Sequence, residues 1–320
     1  MIRHSVANID KPVSELVLGT DDFILESQDF HHEMMDTWLL YGGNAIDTGR
    51  CYGPTENGFE SERVIGNWLE KQNKRNEVVI ITKGCHPTVP GISTARMTPE
   101  DIASDIRESR SALQLDCIDI FLFHRDDPDV PVGPIMEWIN HHIDAGHIAT
   151  IGASNWSASR VEQANAYADS HHLHGFSMLS NYVGLGVQGN PMWPGCRSVN
   201  ESDRLWLQQT CIPNLAWSSQ SRGFFSGKYH PTDTSNKDMV GTYYNDENWA
   251  RLDRATKLAG KHKCSATQIA CSYTLSQDFN SMGVIGPANQ DELLMSIEAT
   301  THRLSQSEIS WLETGHGTMP

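Results

Sequence analysis

Positive charge is what this chain has least of: 24 lysines and arginines stand against 40 aspartates and glutamates, a formal net charge of -16 at pH 7. Binding to a phosphate backbone depends on Lys and Arg displacing counterions, so the deficit excludes nucleic acid as a partner. Long apolar runs are also missing. None approaches the ~20 residues a membrane-crossing helix needs, which excludes a membrane partner of that kind. The N-terminal MIRHSVANIDKP lacks the apolar stretch of a signal peptide, so a cytoplasmic protein is expected. The seven cysteines form no CxxC and no metal-like spacing, and reduced thiols are the expectation. No linker, low-complexity tract or short-period repeat breaks the chain, and residues 1–320 read as a single domain.

What is present is enough to bury a large core, with 38% hydrophobic and 20% charged residues. Short apolar, β-branched runs alternate with amphipathic stretches, the mark of repeated βα units around a parallel sheet. Eight such runs are predicted as strands: LVLG (16–19), NAIDT (44–48), VVIITK (78–83), IDIFLFH (118–124), TIGAS (150–154), FSMLSN (176–181), NLAWSS (214–219) and MGVIGP (282–287). Eight is the number that closes a (β/α)8 TIM barrel. Helices are predicted near 60–70, 98–113, 134–145, 158–168, 203–209 and 249–258. Thr98-Pro99-Glu100-Asp101 supplies a cap, a first-turn proline and two acids. The connections 182–200 and 220–248 are unusually long, and long connections in compact domains are commonly functional. In a barrel they fall on the face where active sites are built.

Three motifs point elsewhere and fail on context. Gly184-Leu185-Gly186-Val187-Gln188-Gly189 fits GxGxxG, but it runs into Asn190-Pro191 and not into a helix. His124-Arg125-Asp126 has the order of a kinase catalytic loop without its companion motifs. The groups His31-His32, His141-His142 and His171-His172-His174 sit in or at the ends of predicted helices, where adjacent residues face different ways. Surface or cap histidines are expected there, and no metal.

The chemistry lies in NAIDTGRCYG, residues 44–53, and the two strands that follow. Buried parallel strands should end in neutral turn residues, yet three successive runs end in Asp47, Lys83 and His124, with Tyr52 five positions after the first acid. All belong to the C-terminal, active-site face of a barrel. A phenol has a reference pKa of about 10. A nearby Lys83 ammonium is expected to lower it, with Asp47 holding the lysine charged and His124 hydrogen-bonding a substrate carbonyl oxygen. Together they read as an acid site for reducing a carbonyl.

With these four residues the chain resembles the aldo-keto reductases from Leu16 to Leu304. The resemblance implies a barrel using NADP(H), or NAD(H), to reduce a small-molecule aldehyde or ketone, a sugar-type carbonyl included. It implies that Tyr52 is the proton donor, assisted by Lys83, Asp47 and His124. Gly152-Ala153-Ser154-Asn155 is similar to the family's GxSN, which places Ser154 and Asn155 on the nicotinamide carboxamide. Trp217 falls where an aromatic stacks on the nicotinamide, Ser218 and Arg222 where a loop covers the pyrophosphate, and Thr20 and Asp21 near the nicotinamide ribose. The family commonly has Gln at the end of strand six. Here Ser180-Asn181 stands there, and either residue is a candidate for that bond. Phe23, Trp156, Trp193 and one of Tyr243 and Tyr244 are expected to shape the substrate pocket. After strand eight, where the family holds the 2′-phosphate with Lys or Arg, no Lys or Arg occurs from Cys264 through His302. Asn289 and Glu292 read instead as a helix start of the capping-box kind, whose N–H groups suit a phosphate while Asp291 and Glu292 repel one. Two other readings stay open: a Schiff-base aldolase using Lys83, and a cofactor-holding protein that chiefly binds a partner, as potassium-channel β subunits do.

Overall fold

A computed structural model describes residues 1–53, 60–87 and 95–320. Eight parallel strands close a barrel in chain order: β1 (Leu16–Gly19), β2 (Ala45–Asp47), β3 (Val79–Gly84), β4 (Ile118–Phe123), β5 (Ile148–Ser154), β6 (Leu179–Ser180), β7 (Asn214–Ala216) and β8 (Ser281–Ile285). β8 closes the ring by pairing with both β7 and β1. Strands covered on both faces read as continuous apolar runs, and every residue of β3 and β4 is buried. β6 is shorter than the run FSMLSN suggests, because only Leu179 and Ser180 meet β5 in register.

A short antiparallel hairpin, Arg3–His4 with Val13–Ser14, precedes the barrel. Its Val13 and the adjoining Val6 pack with inward residues such as Val17, Ala45 and Val79. Side chains therefore fill this part of the interior. The outer ring comprises α1 (Gln28–Leu40), α2 (Glu60–Gln72), α3 (Pro99–Leu113), α4 (Val132–Asp144), α5 (Ala158–Ser170), α6 (Glu201–Thr210), α7 (Lys237–Tyr243), α8 (Asp246–His262), α9 (Ala266–Leu275), α10 (Gln290–Glu298) and α11 (Gln306–Thr314). The Thr98 signal is a full capping box with Asp101, and Pro99 occupies the first turn.

The register brings the chemistry to one rim. Asp47 lies opposite Gly19 on β1 and Ile81 on β3, and Lys83 lies opposite Leu122 on β4. His124 follows β4 directly, its N–H donating to Gly84 O at 2.8 Å.

Candidate active site

Tyr52 reaches the rim through a turn that its neighbours permit. Its N–H donates to Gly49 O at 2.9 Å. A Cβ on Gly49 would meet the Tyr52 ring at 3.4 Å, so the ring packs directly over that glycine. Gly53 adopts φ +112, a left-handed conformation suited to glycine, and a Cβ there would come 2.7 Å from Glu60 Cβ. These two glycines fold the phenol back over the strand ends.

The structure brings all four expected catalytic residues together around a cavity of about 440 Å³. Lys83 Nζ donates to both Asp47 carboxylate oxygens, at 2.6 and 2.7 Å, to Thr48 O at 2.9 Å and to Tyr52 OH at 3.2 Å. Asp47 and Lys83 are buried, whereas Tyr52 is half-buried on the wall. The Tyr52 and His124 rings meet edge-on with centroids 5.8 Å apart.

The electrostatics depart from the expectation at Tyr52. Burial, and then the Asp47 carboxylate, push its phenol well above the ordinary range. The desolvation of a phenolate outweighs the attraction of nearby cations, so the phenol keeps its proton. Burial, followed by His86 and Arg125, holds His124 well below the usual imidazole value, hence neutral. Cys51 Sγ lies 3.6 Å from His124 Nδ1, and burial pushes that thiol up to about 11. Cys51, His86 and His124 bring a thiol and two imidazoles within 4.8 Å of one another, a grouping invisible in the sequence spacing. The adjacent Lys83 and Arg125 cations oppose a divalent ion there.

The expected cofactor residues divide. Thr20, Asp21, Ser154, Asn155, Trp217, Ser218 and Arg222 line the cavity. Ser154 Oγ donates to Ser180 O at 3.0 Å, and Asn155 Nδ2 donates to His124 O at 3.2 Å. Thr20 Oγ1 donates to Asp47 O at 3.0 Å and shares a hydrogen bond with Ser61 Oγ, which braces Asp47 from behind. Ser180 and Asn181 are fully buried and do not reach the cavity wall. Ser180 is spent on Leu215 O at 2.9 Å, while Asn181 Oδ1 is a buried acceptor without a partner among the described residues. Asn289 caps α10 through Glu292 N at 2.9 Å and stands off the wall as well.

Two of the three expected substrate residues are corrected. Phe23 stacks on His31 with centroids 4.1 Å apart, and Trp156 is fully buried against Phe123 and Phe176. Each side chain found more apolar area to bury in the core than at the rim. Tyr243 is likewise buried with Tyr182 and Phe224, and Tyr244 packs on Trp249. Trp193 does line the cavity, with Arg222 5.3 Å over its ring. His31 and His32 are buried rather than solvated, His32 Nε2 lying 3.0 Å from Val64 O. Lys228, a candidate from the sequence for the cofactor's phosphate, lines the cavity, as do Arg125, Cys196 and Met192, which sequence reasoning did not single out as site residues; only the position of Arg125 beside His124 could have signalled it.

The model of the Aldo/keto reductase family matches residues 15–314. An aryl-alcohol dehydrogenase of Pestalotiopsis microspora is 26% identical over 298 residues, which span 89% of this chain and 72% of that protein. Norsolorinic acid reductase of Aspergillus flavus is 27% identical over 290 residues, 86% of this chain and 69% of that protein. Among solved structures, a thermostable aldo-keto reductase in complex with the inhibitor epalrestat matches with a TM-score of 0.72 over 98% of this chain and 99% of that one. At 18% identity that likeness speaks to the fold.

Proposed function

Because this chain belongs to the aldo/keto reductase family, we propose that it reduces an aldehyde or ketone to the alcohol, with Tyr52 as proton donor. The observation that carries this reading is the position of Lys83, held by Asp47 and Thr48 and still 3.2 Å from Tyr52 OH. As the phenol gives up its proton, its oxygen turns negative and the Lys83 hydrogen bond strengthens. That is stabilisation of charge where it develops, by a donor already in place. Neutral His124 orients the carbonyl oxygen toward the phenol.

The family generally uses NAD(P)H, and the cavity suits such a group. Trp217 offers an aromatic face, its buried Nε1 lacking a partner among the described residues. Gly286, Pro287 and Ala288 form a low wall, and Arg222 and Lys228 bring positive charge. A bound reduced nicotinamide supplies hydride to the carbonyl carbon. Ser154, Asn155, Trp217, Ser218 and Arg222 would hold it, with Thr20 and Asp21 at the ribose. Ser180 and Asn181, both buried behind the wall, are not placed to hold it directly.

The aldolase alternative fits less well. A Schiff-base lysine must be neutral to attack, while Lys83 is held in an ion pair with the Asp47 carboxylate at 2.6 Å. The relatives' names direct the test toward aryl carbonyls. A panel of aryl aldehydes, aliphatic aldehydes and keto-sugars, read by loss of reduced-nicotinamide absorbance, should show turnover. Cofactor binding with no turnover of any carbonyl would leave the partner-binding reading.

A further inference from the structure

The cations on the cavity wall differ in how their charge is met. Lys83 is paired with Asp47 at 2.6 Å, and Arg222 lies 3.7 Å from Asp21. Lys228 is exposed to water. Arg125 has neither compensation. It is 8% exposed, and among the described residues no carboxylate lies within ion-pair distance of its guanidinium. The adjacent acid, Asp126, is taken by Arg160 at 2.9 Å. The hydrogen bonds Arg125 makes to backbone go to neutral carbonyls, His124 O at 2.8 Å and Pro194 O at 3.4 Å.

A buried cation is ordinarily paired, and this chain carries 40 acids against 24 bases. An unmatched arginine is therefore not for want of carboxylates. Its position is also specific. It follows the catalytic His124, lines the same cavity as Tyr52 and Trp193, and its charge is felt by Tyr52, His86, His124 and Cys196. The connection carrying Trp193, Pro194 and Cys196 closes against it, and a Cβ on Gly195 would stand 3.3 Å from Arg125 Cδ. A planar guanidinium in such a place suits a carboxylate, which it can grip through two N–H groups.

Building on the carbonyl-reductase reading, we propose that Arg125 and the Trp193–Cys196 segment form an anion subsite, and that the preferred substrate is an aldehyde or ketone bearing a carboxylate. The anion supplies the counter-charge the fold withholds, and in doing so places the carbonyl between Tyr52 and His124.

Succinic semialdehyde and butanal test this, being four-carbon aldehydes that differ by a terminal carboxylate. The wild-type protein should favour succinic semialdehyde in kcat/KM by at least about tenfold, the scale of one charge-assisted hydrogen bond. Arg125→Gln should collapse that ratio, chiefly through KM, and Arg125→Lys should restore part of it. No preference in the wild type, or a proportional loss on both aldehydes in Arg125→Gln, would overturn the subsite. Weakened binding of reduced nicotinamide cofactor as the main effect would also overturn it, by assigning Arg125 to the cofactor's phosphates. If neither aldehyde is reduced with either cofactor, the wider carbonyl panel decides the reductase reading and the subsite is judged separately. Succinate titrated against tryptophan fluorescence should then bind the wild type and not Arg125→Gln, and absence of binding sinks the proposal.

Discussion

The two sides of the cavity are built on different principles. On one side the ends of β2, β3 and β4 present Asp47, Lys83 and His124, fixed by barrel register and joined by short hydrogen bonds to buried partners. On the other side, Trp193, Trp217, Arg222 and Lys228 come from connections, and Trp193, Arg222 and Lys228 remain accessible to solvent. On the proposed reading, the groups around the reacting atom are fixed by rigid strand ends, with Tyr52 folded back onto them by its turn, while the groups that select what enters sit on loops. Substitutions on the strand side should therefore abolish chemistry or stability, and those on the loop side should move KM and preference.

The largest effect is expected at Tyr52. Tyr52→Phe removes the transferable proton and keeps the ring over Gly49, so cofactor binding should persist while reduction falls by about 10²- to 10⁴-fold. Reduction at near wild-type rates would end the proposed mechanism. The pH profile sharpens the same point. A general acid works only while protonated, and burial raises the Tyr52 phenol above its ordinary value, so loss of kcat/KM should begin above the usual ~10. His124, lowered by burial, is neutral throughout the neutral range. The reduction profile should hence be flat from about pH 7 to 9, and a break near the ordinary imidazole value of about 6.5 would show that His124 titrates there after all.

Lys83→Met comes next. It strands Asp47, which is 2% exposed, and removing one partner of a buried pair typically costs ~3–5 kcal/mol. Urea unfolding should show a loss on that scale alongside impaired turnover. The double variant Asp47→Asn with Lys83→Met should recover part of the stability and none of the activity. An unchanged midpoint in Lys83→Met would mean that Asp47 takes up a proton at little cost.

The same division governs what could be read from the chain. The strand side was legible because acids and bases at the ends of apolar runs violate the pattern those runs set, and the runs lie within a few residues of the observed strands. Helix α9 was not, and α1 was legible only as a helix around His31-His32, not in the burial of that pair. α1 buries His31 and His32 within a polar-looking QDFHHEMMDTWLL, and α9 is buried from Thr267 to Leu275, so neither shows a clean apolar stripe. The loop side was legible only in its residue types. Nothing local tells a rim tryptophan such as Trp193 from a core one such as Trp156, since packing across the fold decides between them. Arg125 escaped notice for the same reason, because the missing counter-charge is a fact about the neighbours that folding brings to it.

On the loop side the first test is Trp193→Ala. If the exposed ring supports an aryl substrate, KM for benzaldehyde should rise about two- to tenfold, the value of an aromatic pair, with kcat nearly unchanged. An unchanged KM for every carbonyl in the panel would make Trp193 an anchor for its loop.

The smallest effect concerns the cofactor's 2′-phosphate and the start of α10. Ala288 N donates to Glu292 Oε2 at 2.9 Å, and Glu292 N donates to Asn289 Oδ1 at 2.9 Å. The helix end that would otherwise attract a phosphate already carries a carboxylate, which takes up one nearby N–H while Asn289 takes up another. No Lys or Arg occurs from Cys264 through His302 to offset it. An exposed like-charge contact and a missing charge-assisted bond each contribute about 1 kcal/mol, so preference between NADPH and NADH should stay within about a hundredfold. Glu292→Gln should move it toward NADPH by roughly fivefold, as removal of ~1 kcal/mol of repulsion requires. Fluorescence titrations with both reduced cofactors measure the shift. A wild-type preference for NADPH beyond about a thousandfold would mean that a cation of the opposite wall reaches the phosphate. Lys228, whose Nζ would lie 3.2 Å from a Cβ on Gly223, is then the residue to change, and Lys228→Met should erase most of that preference while leaving NADH binding in place.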